Sequence, residues 1–220
     1  MKIDAIILAA GKGKRMQSAS PKVLQHVAGK ALLQHVIDTS LNLKNSQLHI
    51  VVGDQNILVK NSVSTPKNSK WYKQAKQLGT GHAVKQTLKG LRAGSIALIL
   101  YGDVPLVKSS TMNNLVRAAG KSSLALLSFE QQTPKGYGRM IRNSKGKVLG
   151  IVEEKDATAE QKKITEVNSG IMAIASNKLE QLLQGLKNRN AAKEYYLTDI
   201  VSLANENKIG RAHVRTPVTS

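Results

Sequence analysis

Along this chain, short solid blocks of apolar residues alternate with stretches in which apolar residues return every three or four positions. Residues 4–9 form a nearly continuous apolar run, the pattern of a strand buried on both faces. Residues 31–43 carry Leu32, Leu33, Val36, Ile37 and Leu41 at a helical period. A second strand is predicted over 48–52, stopped by Gly53 and Asp54, and a helix over 81–91 through Ala83, Val84, Leu88 and Leu91. Residues 95–101 read as a third buried strand running into Gly102-Asp103-Val104-Pro105. Ser109 or Ser110 stands where it can cap a helix bearing Met112, Leu115 and Val116, and residues 124–129 form a further strand. Strands alternating with helices predict an α/β fold with a mostly parallel central sheet. After Thr133 the pattern changes. Residues 139–142 and 147–152 flank Asn143-Ser144-Lys145-Gly146, a hairpin signal; a strand follows over 166–173 and a helix over 178–186. No internal repeat stands out. One domain is expected, its first half nucleotide-binding in character and its second half mixed.

Composition narrows the classes. The chain has 220 residues, 41% of them hydrophobic, enough to bury a core. It has no cysteine, which excludes disulfide scaffolds, thiolate metal sites and cysteine nucleophiles, and agrees with a cytoplasmic location. No apolar run approaches the roughly 20 residues of a bilayer span, so no membrane association is expected. The 33 Lys and Arg against 14 Asp and Glu give a net charge of +19, which suits nucleic acid, an acidic surface or anionic small substrates. The lysines are scattered. The densest run, Lys67, Lys70, Lys73 and Lys76, has only Trp71 and Tyr72 as stacking partners, and aromatics make up 3% of the chain. A solvated lysine-rich surface is therefore expected, with no specific nucleic-acid partner. His26, His35, His49 and His82 lack metal-ligand spacing and are expected to be structural or exposed.

The chemistry concentrates after the first strand, at Leu8-Ala9-Ala10-Gly11-Lys12-Gly13-Lys14-Arg15-Met16 and then Pro21-Lys22-Val23-Leu24. Glycines beyond the carboxyl end of a parallel strand let backbone N–H groups approach an anion. The spacing fits neither the dinucleotide fingerprint nor a Walker loop. Arg15 and Lys22 add cations suited to a polyphosphate. Asp103, just past the end of another buried strand and on the same side of the sheet, is a candidate ligand for Mg²⁺, which takes one or two carboxylates with substrate phosphates. Read alone, Asp103 is better taken as a turn residue before Pro105; the glycine loop beside it is what favours a metal ligand.

The first motif resembles the signature of sugar-phosphate nucleotidyltransferases. Further stretches narrow the resemblance: Gln74-Ala75-Lys76-Gln77-Leu78-Gly79-Thr80-Gly81-His82-Ala83, Tyr101-Gly102-Asp103-Val104-Pro105-Leu106, Gly136-Tyr137-Gly138-Arg139, Ile151-Val152-Glu153-Glu154-Lys155-Asp156-Ala157, Asn168-Ser169-Gly170 and Glu194-Tyr195-Tyr196-Leu197-Thr198-Asp199. In this order they resemble the N-terminal domain of the bacterial bifunctional N-acetylglucosamine-1-phosphate uridyltransferases and glucosamine-1-phosphate acetyltransferases. The resemblance implies a Rossmann-like nucleotide-diphospho-sugar transferase fold. It also implies transfer of uridylyl from UTP to N-acetylglucosamine 1-phosphate, giving a precursor of peptidoglycan and lipopolysaccharide, with Mg²⁺ as cofactor.

The same resemblance makes Arg15 and Lys22 catalytic and Asp103 the metal ligand. It gives substrate contacts to Leu8, Ala9, Ala10, Gly11, Lys22, Thr80, Tyr101, Gly102 and Asp103, to Gln74 and Gly79 on uracil, and to Gly138, Glu153 and Asn168 on the sugar. Read alone, Glu153 is one end of a solvated acidic pair. The family's second metal ligand, an asparagine, lies beyond the last matching segment. So does the β-helix that carries acetyltransferase activity and makes the trimer, and a monomer of weak or no activity is expected. Residues 209–220 do not resemble the family but do resemble a translated sequencing adapter, so the nucleotidyltransferase domain is expected over 1–208. The rival readings are a nucleotidyltransferase for another base or acceptor, and a basic nucleic-acid-binding module.

Overall fold

The computed structural model describes residues 1–11 and 20–215. In chain order it contains β1 (Ile3–Ala9), a small hairpin of β2 (His26–Val27) and β3 (Lys30–Ala31), α1 (Leu32–Leu41), β4 (Ser46–Val52), α2 (Asn56–Asn61), β5 (Lys70–Lys73), α3 (Thr80–Lys85), β6 (Ile96–Tyr101) and α4 (Ser109–Ser122). Then come β7 (Leu124–Glu130), β8 (Arg139–Arg142), β9 (Val148–Val152), α5 (Ala159–Lys162), β10 (Glu166–Ala175), α6 (Ser176–Gln184), α7 (Ile200–Glu206) and β11 (Arg211–Arg215). The main sheet runs β11-β7-β10-β6-β1-β4-β5, with the β8–β9 hairpin attached through β10. β1 pairs in parallel with β4 and β6, and β4 with β5, whereas β10 runs antiparallel to both neighbours. The sheet is mostly parallel, as the alternation of strands and helices predicts.

β1 is buried along its whole length because both faces of the sheet are covered. Ile3, Ala5 and Ile7 pack with Leu33, Val36 and Ile37 of α1 and Met112, Leu115 and Val116 of α4 on one side. Ile6 and Leu8 pack with Ala83 and Val84 of α3, Leu179 and Leu182 of α6 and Ile200 and Val201 of α7 on the other. Asp4 is also fully buried, and its carboxylate accepts from the Arg92 backbone N–H (2.8 Å), Arg92 Nε (2.8 Å) and His49 Nε2 (3.2 Å). Burial alone would raise its pKa, but these partners hold it well below the ordinary carboxylate range.

The structure adds the β2–β3 hairpin, α2, α5 and α7 to the elements the sequence predicts, and three further segments differ from expectation. The helix predicted over 81–91 stops at Lys85, and residues 88–90 form a separate 3-10 turn. The lysine run over 67–76 contains an edge strand, β5, with Lys70 and Lys73 exposed and Trp71 and Tyr72 half-buried. Residues 211–215 form β11, which pairs in parallel with β7. Among the described residues, no helix is long and apolar enough to cross a membrane.

Candidate active site

The carboxyl ends of β1, β4 and β6 open on one side of the sheet. There Ala9, Ala10 and Gly11 line an open cleft of about 290 Å³ with Ser20, Pro21, Gly53, Asp54, Gln55 and Gln77. Leu8 lies beside Tyr101 in the β1–β6 register, and the Gly102 N–H donates to the Leu8 carbonyl (3.0 Å), so both strand ends finish at one level. Just beyond them Lys22 Nζ lies 2.7 Å from Asp103 Oδ2. The cation and the acid singled out in the sequence therefore meet. Arg15 lies outside the described residues. Asp103 does not stand in a cluster: no three metal-ligating side chains gather among the described residues. A single carboxylate suits Mg²⁺, which completes its octahedron with substrate phosphate oxygens and water, better than a metal held wholly by protein.

The loop between β5 and α3 forms the next wall. Gln74 is buried, its N–H donates to the Val52 carbonyl (2.8 Å), and its Nε2 donates to the Gly79 carbonyl (3.0 Å). Gly79 has φ +106°, and a Cβ there would lie 2.6 Å from the Tyr195 carbonyl oxygen, so only glycine is free of strain. The 194–198 segment is strapped onto this loop: the Tyr195 N–H donates to the Leu78 carbonyl and the Gly81 N–H to the Tyr195 carbonyl, both at 2.8 Å. Thr80 Oγ1 accepts from the Leu197 N–H (3.0 Å) and hydrogen-bonds the Tyr101 side chain. Burial pushes the Tyr101 phenol far above its ordinary value, so it stays protonated.

On the far side, Gly138, Glu153 and Asn168 come together from three separate segments. The Asn168 N–H donates to the Gly138 carbonyl (2.8 Å), and a Cβ on Gly138 would lie 3.4 Å from Glu153 Oε2. Asn168 is 7% exposed and its Oδ1 has no hydrogen-bond partner among the described residues, as expected of a group awaiting a polar ligand. Burial raises the Glu153 pKa; the Thr198 hydroxyl, donating to Oε1 at 2.8 Å, opposes the rise, and Asp156 adds to it. Glu153 is thus a held, inward group and not the solvated acid that its sequence context suggests.

Thr198 lies in one of the matching motifs, but its bond to Glu153 is invisible in a sequence where they stand 45 positions apart. Asp199 ends the same motif and carries no sequence signal of its own. Burial, then Glu153 and Asp156, raise its pKa to about 6.

Residues 5–195 match the MobA-like NTP transferase domain. The chain is 50% identical over 205 residues to the bifunctional protein GlmU of Nitrosomonas eutropha, covering 93% of this chain and 45% of that protein. It is 50% identical over 202 residues to the same-named protein of Dechloromonas aromatica, covering 92% and 44%. To that of Cellvibrio japonicus it is 46% identical over 215 residues, covering 98% and 47%. The chain therefore spans somewhat under half the length of these relatives. A crystal structure of UDP-glucose pyrophosphorylase complexed with UDP-glucose superposes with a TM-score of 0.79 at 16% identity, covering 98% of this chain and 91% of that one. At that identity the likeness is one of fold.

Proposed function

Because this chain belongs to the MobA-like NTP transferase domain family, and so is a nucleotidyltransferase, we propose that it joins UTP and N-acetylglucosamine 1-phosphate into UDP-N-acetylglucosamine with release of pyrophosphate. The observation that carries this reading is the convergence of Gly138, Glu153 and Asn168, with the orphaned Asn168 Oδ1, near Tyr101, whose side chain interacts with both Glu153 and the Asp103 of the Lys22–Asp103 pair. A cation for a phosphate, with a carboxylate and an amide for hydroxyl and acetamido groups, suits a sugar phosphate better than a second nucleotide. The likeness to bifunctional GlmU proteins supports the same choice.

An oxygen of the sugar phosphate attacks the α-phosphorus of UTP in line. The new P–O bond forms as the α–β bond breaks, and pyrophosphate leaves with the electron pair. The attacking oxygen is ionised at neutral pH, so no general base is required. The protein's contribution is positioning and charge neutralisation. Lys22 stabilises charge on the phosphates, and Arg15 has the same role. Leu8, Ala9, Ala10 and Gly11 present backbone to the nucleotide; Gln74, Gly79 and Thr80 hold uracil; Tyr101 and Gly102 floor the site; Gly138, Glu153 and Asn168 hold the sugar. Asp103 would hold a divalent cation, Mg²⁺ on its chemistry, which when bound supplies neutralising charge to the phosphates. We further propose that residues 1–208 form the nucleotidyltransferase unit, that it acts in the cytoplasm, and that it requires no nucleic acid or membrane partner.

Pyrophosphate release measured with each of the common nucleoside triphosphates against N-acetylglucosamine 1-phosphate and glucose 1-phosphate tests the reading. Turnover is expected with UTP and the acetamido sugar. Faster turnover with another pair would overturn it. Thermal stabilisation by UDP-N-acetylglucosamine with Mg²⁺ provides a second readout that does not depend on turnover.

A further inference from the structure

The Gln74 carboxamide is orientated by its surroundings, and the orientation has a chemical consequence. Its Nε2 lies 3.0 Å from the Gly79 carbonyl oxygen, which can only accept, so the NH₂ end must point that way. The second N–H then points at His82 Nδ1, also 3.0 Å away. That contact is a hydrogen bond only if Nδ1 carries a lone pair and the ring is neutral. The proton then resides on Nε2, whose neighbour, Gln86 Nε2, stands farther off at 3.3 Å and donates to the His82 carbonyl at 3.0 Å. With both amide hydrogens engaged, the polar atom of Gln74 left over is Oε1, an acceptor, for which no partner is found among the described residues.

We propose that His82 is a specificity-determining positioning residue: as a neutral acceptor it locks the Gln74 amide so that Oε1, and not NH₂, faces the base, selecting uracil over cytosine. Uracil presents an N3–H donor, which a fixed carbonyl oxygen accepts. Cytosine presents an N3 lone pair, which the same oxygen repels. The inference rests on the uridylyl reading and adds to it the residue that makes a symmetric-looking amide discriminate. Burial, and then the neighbouring Lys85 cation, lower the His82 pKa below its ordinary value, which keeps the ring neutral at physiological pH.

The test is the ratio of UTP to CTP dissociation constants, measured by calorimetry on the full chain. The parent is expected to prefer UTP. His82→Leu removes the acceptor, frees the amide to rotate, and should shrink the preference about tenfold or more. His82→Asn, whose Oδ1 can stand near the former Nδ1 and accept the same bond, should retain most of it. In the unaltered protein the ratio should fall as pH drops through the His82 pKa, because Nδ1–H then opposes the Gln74 N–H. Titration of the triphosphate is common to both ligands and cancels in the ratio, so this arm also serves if His82→Leu does not fold. A parent that prefers UTP, with His82→Leu equally selective or with a pH-independent ratio, overturns the role of His82 alone. A parent that binds UTP and CTP alike overturns the uridylyl reading and this inference with it.

Discussion

At the scale of single residues, the site depends on side chains that are absent as much as on those present. Gly138 touches Glu153 so closely that an added Cβ would sit 2.9 Å from Ile151 Cγ2 and 3.4 Å from Glu153 Oε2. Gly138→Ala should therefore displace the Glu153 carboxylate and raise KM for the sugar phosphate about tenfold, with KM for UTP unchanged; steady-state kinetics in each substrate read the split. Lys22→Ala should cost about 10²–10³ in kcat, as for loss of one preorganised transition-state partner, and single-turnover rates measure it. Asp199 gives a prediction in pH. Its pKa is raised in the fold from 3.8 to about 6, so the neutral form is favoured there. The stability this contributes is complete below the unfolded value and is lost as pH rises through about 6. Asp199→Asn should thus match the parent near pH ~4 and exceed it by about 1–3 kcal/mol at pH ~8 in urea unfolding. Of these residues, Lys22 and Gly138 were legible in the sequence through motifs. Thr198 and Asp199 were not, because their importance lies in what they face.

At the scale of elements, the strongly apolar strands were legible and the polar ones were not. β1 and β6 announce themselves because strands covered on both faces must be apolar throughout. β5 escaped because an edge strand keeps one side in water; its exposed Lys70 and Lys73 discourage a foreign strand from pairing with it. β11 lies in the tail that the motifs leave outside the family resemblance, yet Ala212 and Val214 pack against the core. His213 Nε2 meets Ser128 Oγ at 2.5 Å and Glu166 Oε1 at 3.1 Å. Main-chain pairing tolerates many sequences, which is how an unfamiliar segment can fill a strand position. Deleting residues 209–220 should lower stability by about 1–3 kcal/mol, chiefly through lost apolar burial, while leaving the UTP-over-CTP preference intact; urea unfolding and calorimetry check the two halves of that statement. The early end of α3 is likewise contextual. Residues 88–90 turn away as a 3-10 segment, with Lys70 Nζ donating to the Gly90 carbonyl at 2.9 Å.

At the scale of the whole molecule, the net charge of +19 makes self-repulsion a standing cost of compactness. Raising ionic strength from about 0.01 M to about 0.15 M shortens the screening length from about 30 Å to about 8 Å and should raise Tm, read by differential scanning calorimetry. A falling Tm would mean that attractive pairs such as Arg92–Asp4 and Arg142–Glu166 outweigh the repulsion. By itself the sequence determined the α/β class, the buried strands and the family, because apolar periodicity and short motifs are local properties written into consecutive residues. Only the tertiary structure decided that Gly138, Glu153, Asn168 and Thr198 come together, that Lys22 meets Asp103, and that His82 lies against the Gln74 amide. These are relations among groups distant in the chain. The packing of two layers of helices on the sheet fixes them, and a carboxylate's charge or an amide's orientation follows from those neighbours and not from the residue's own identity.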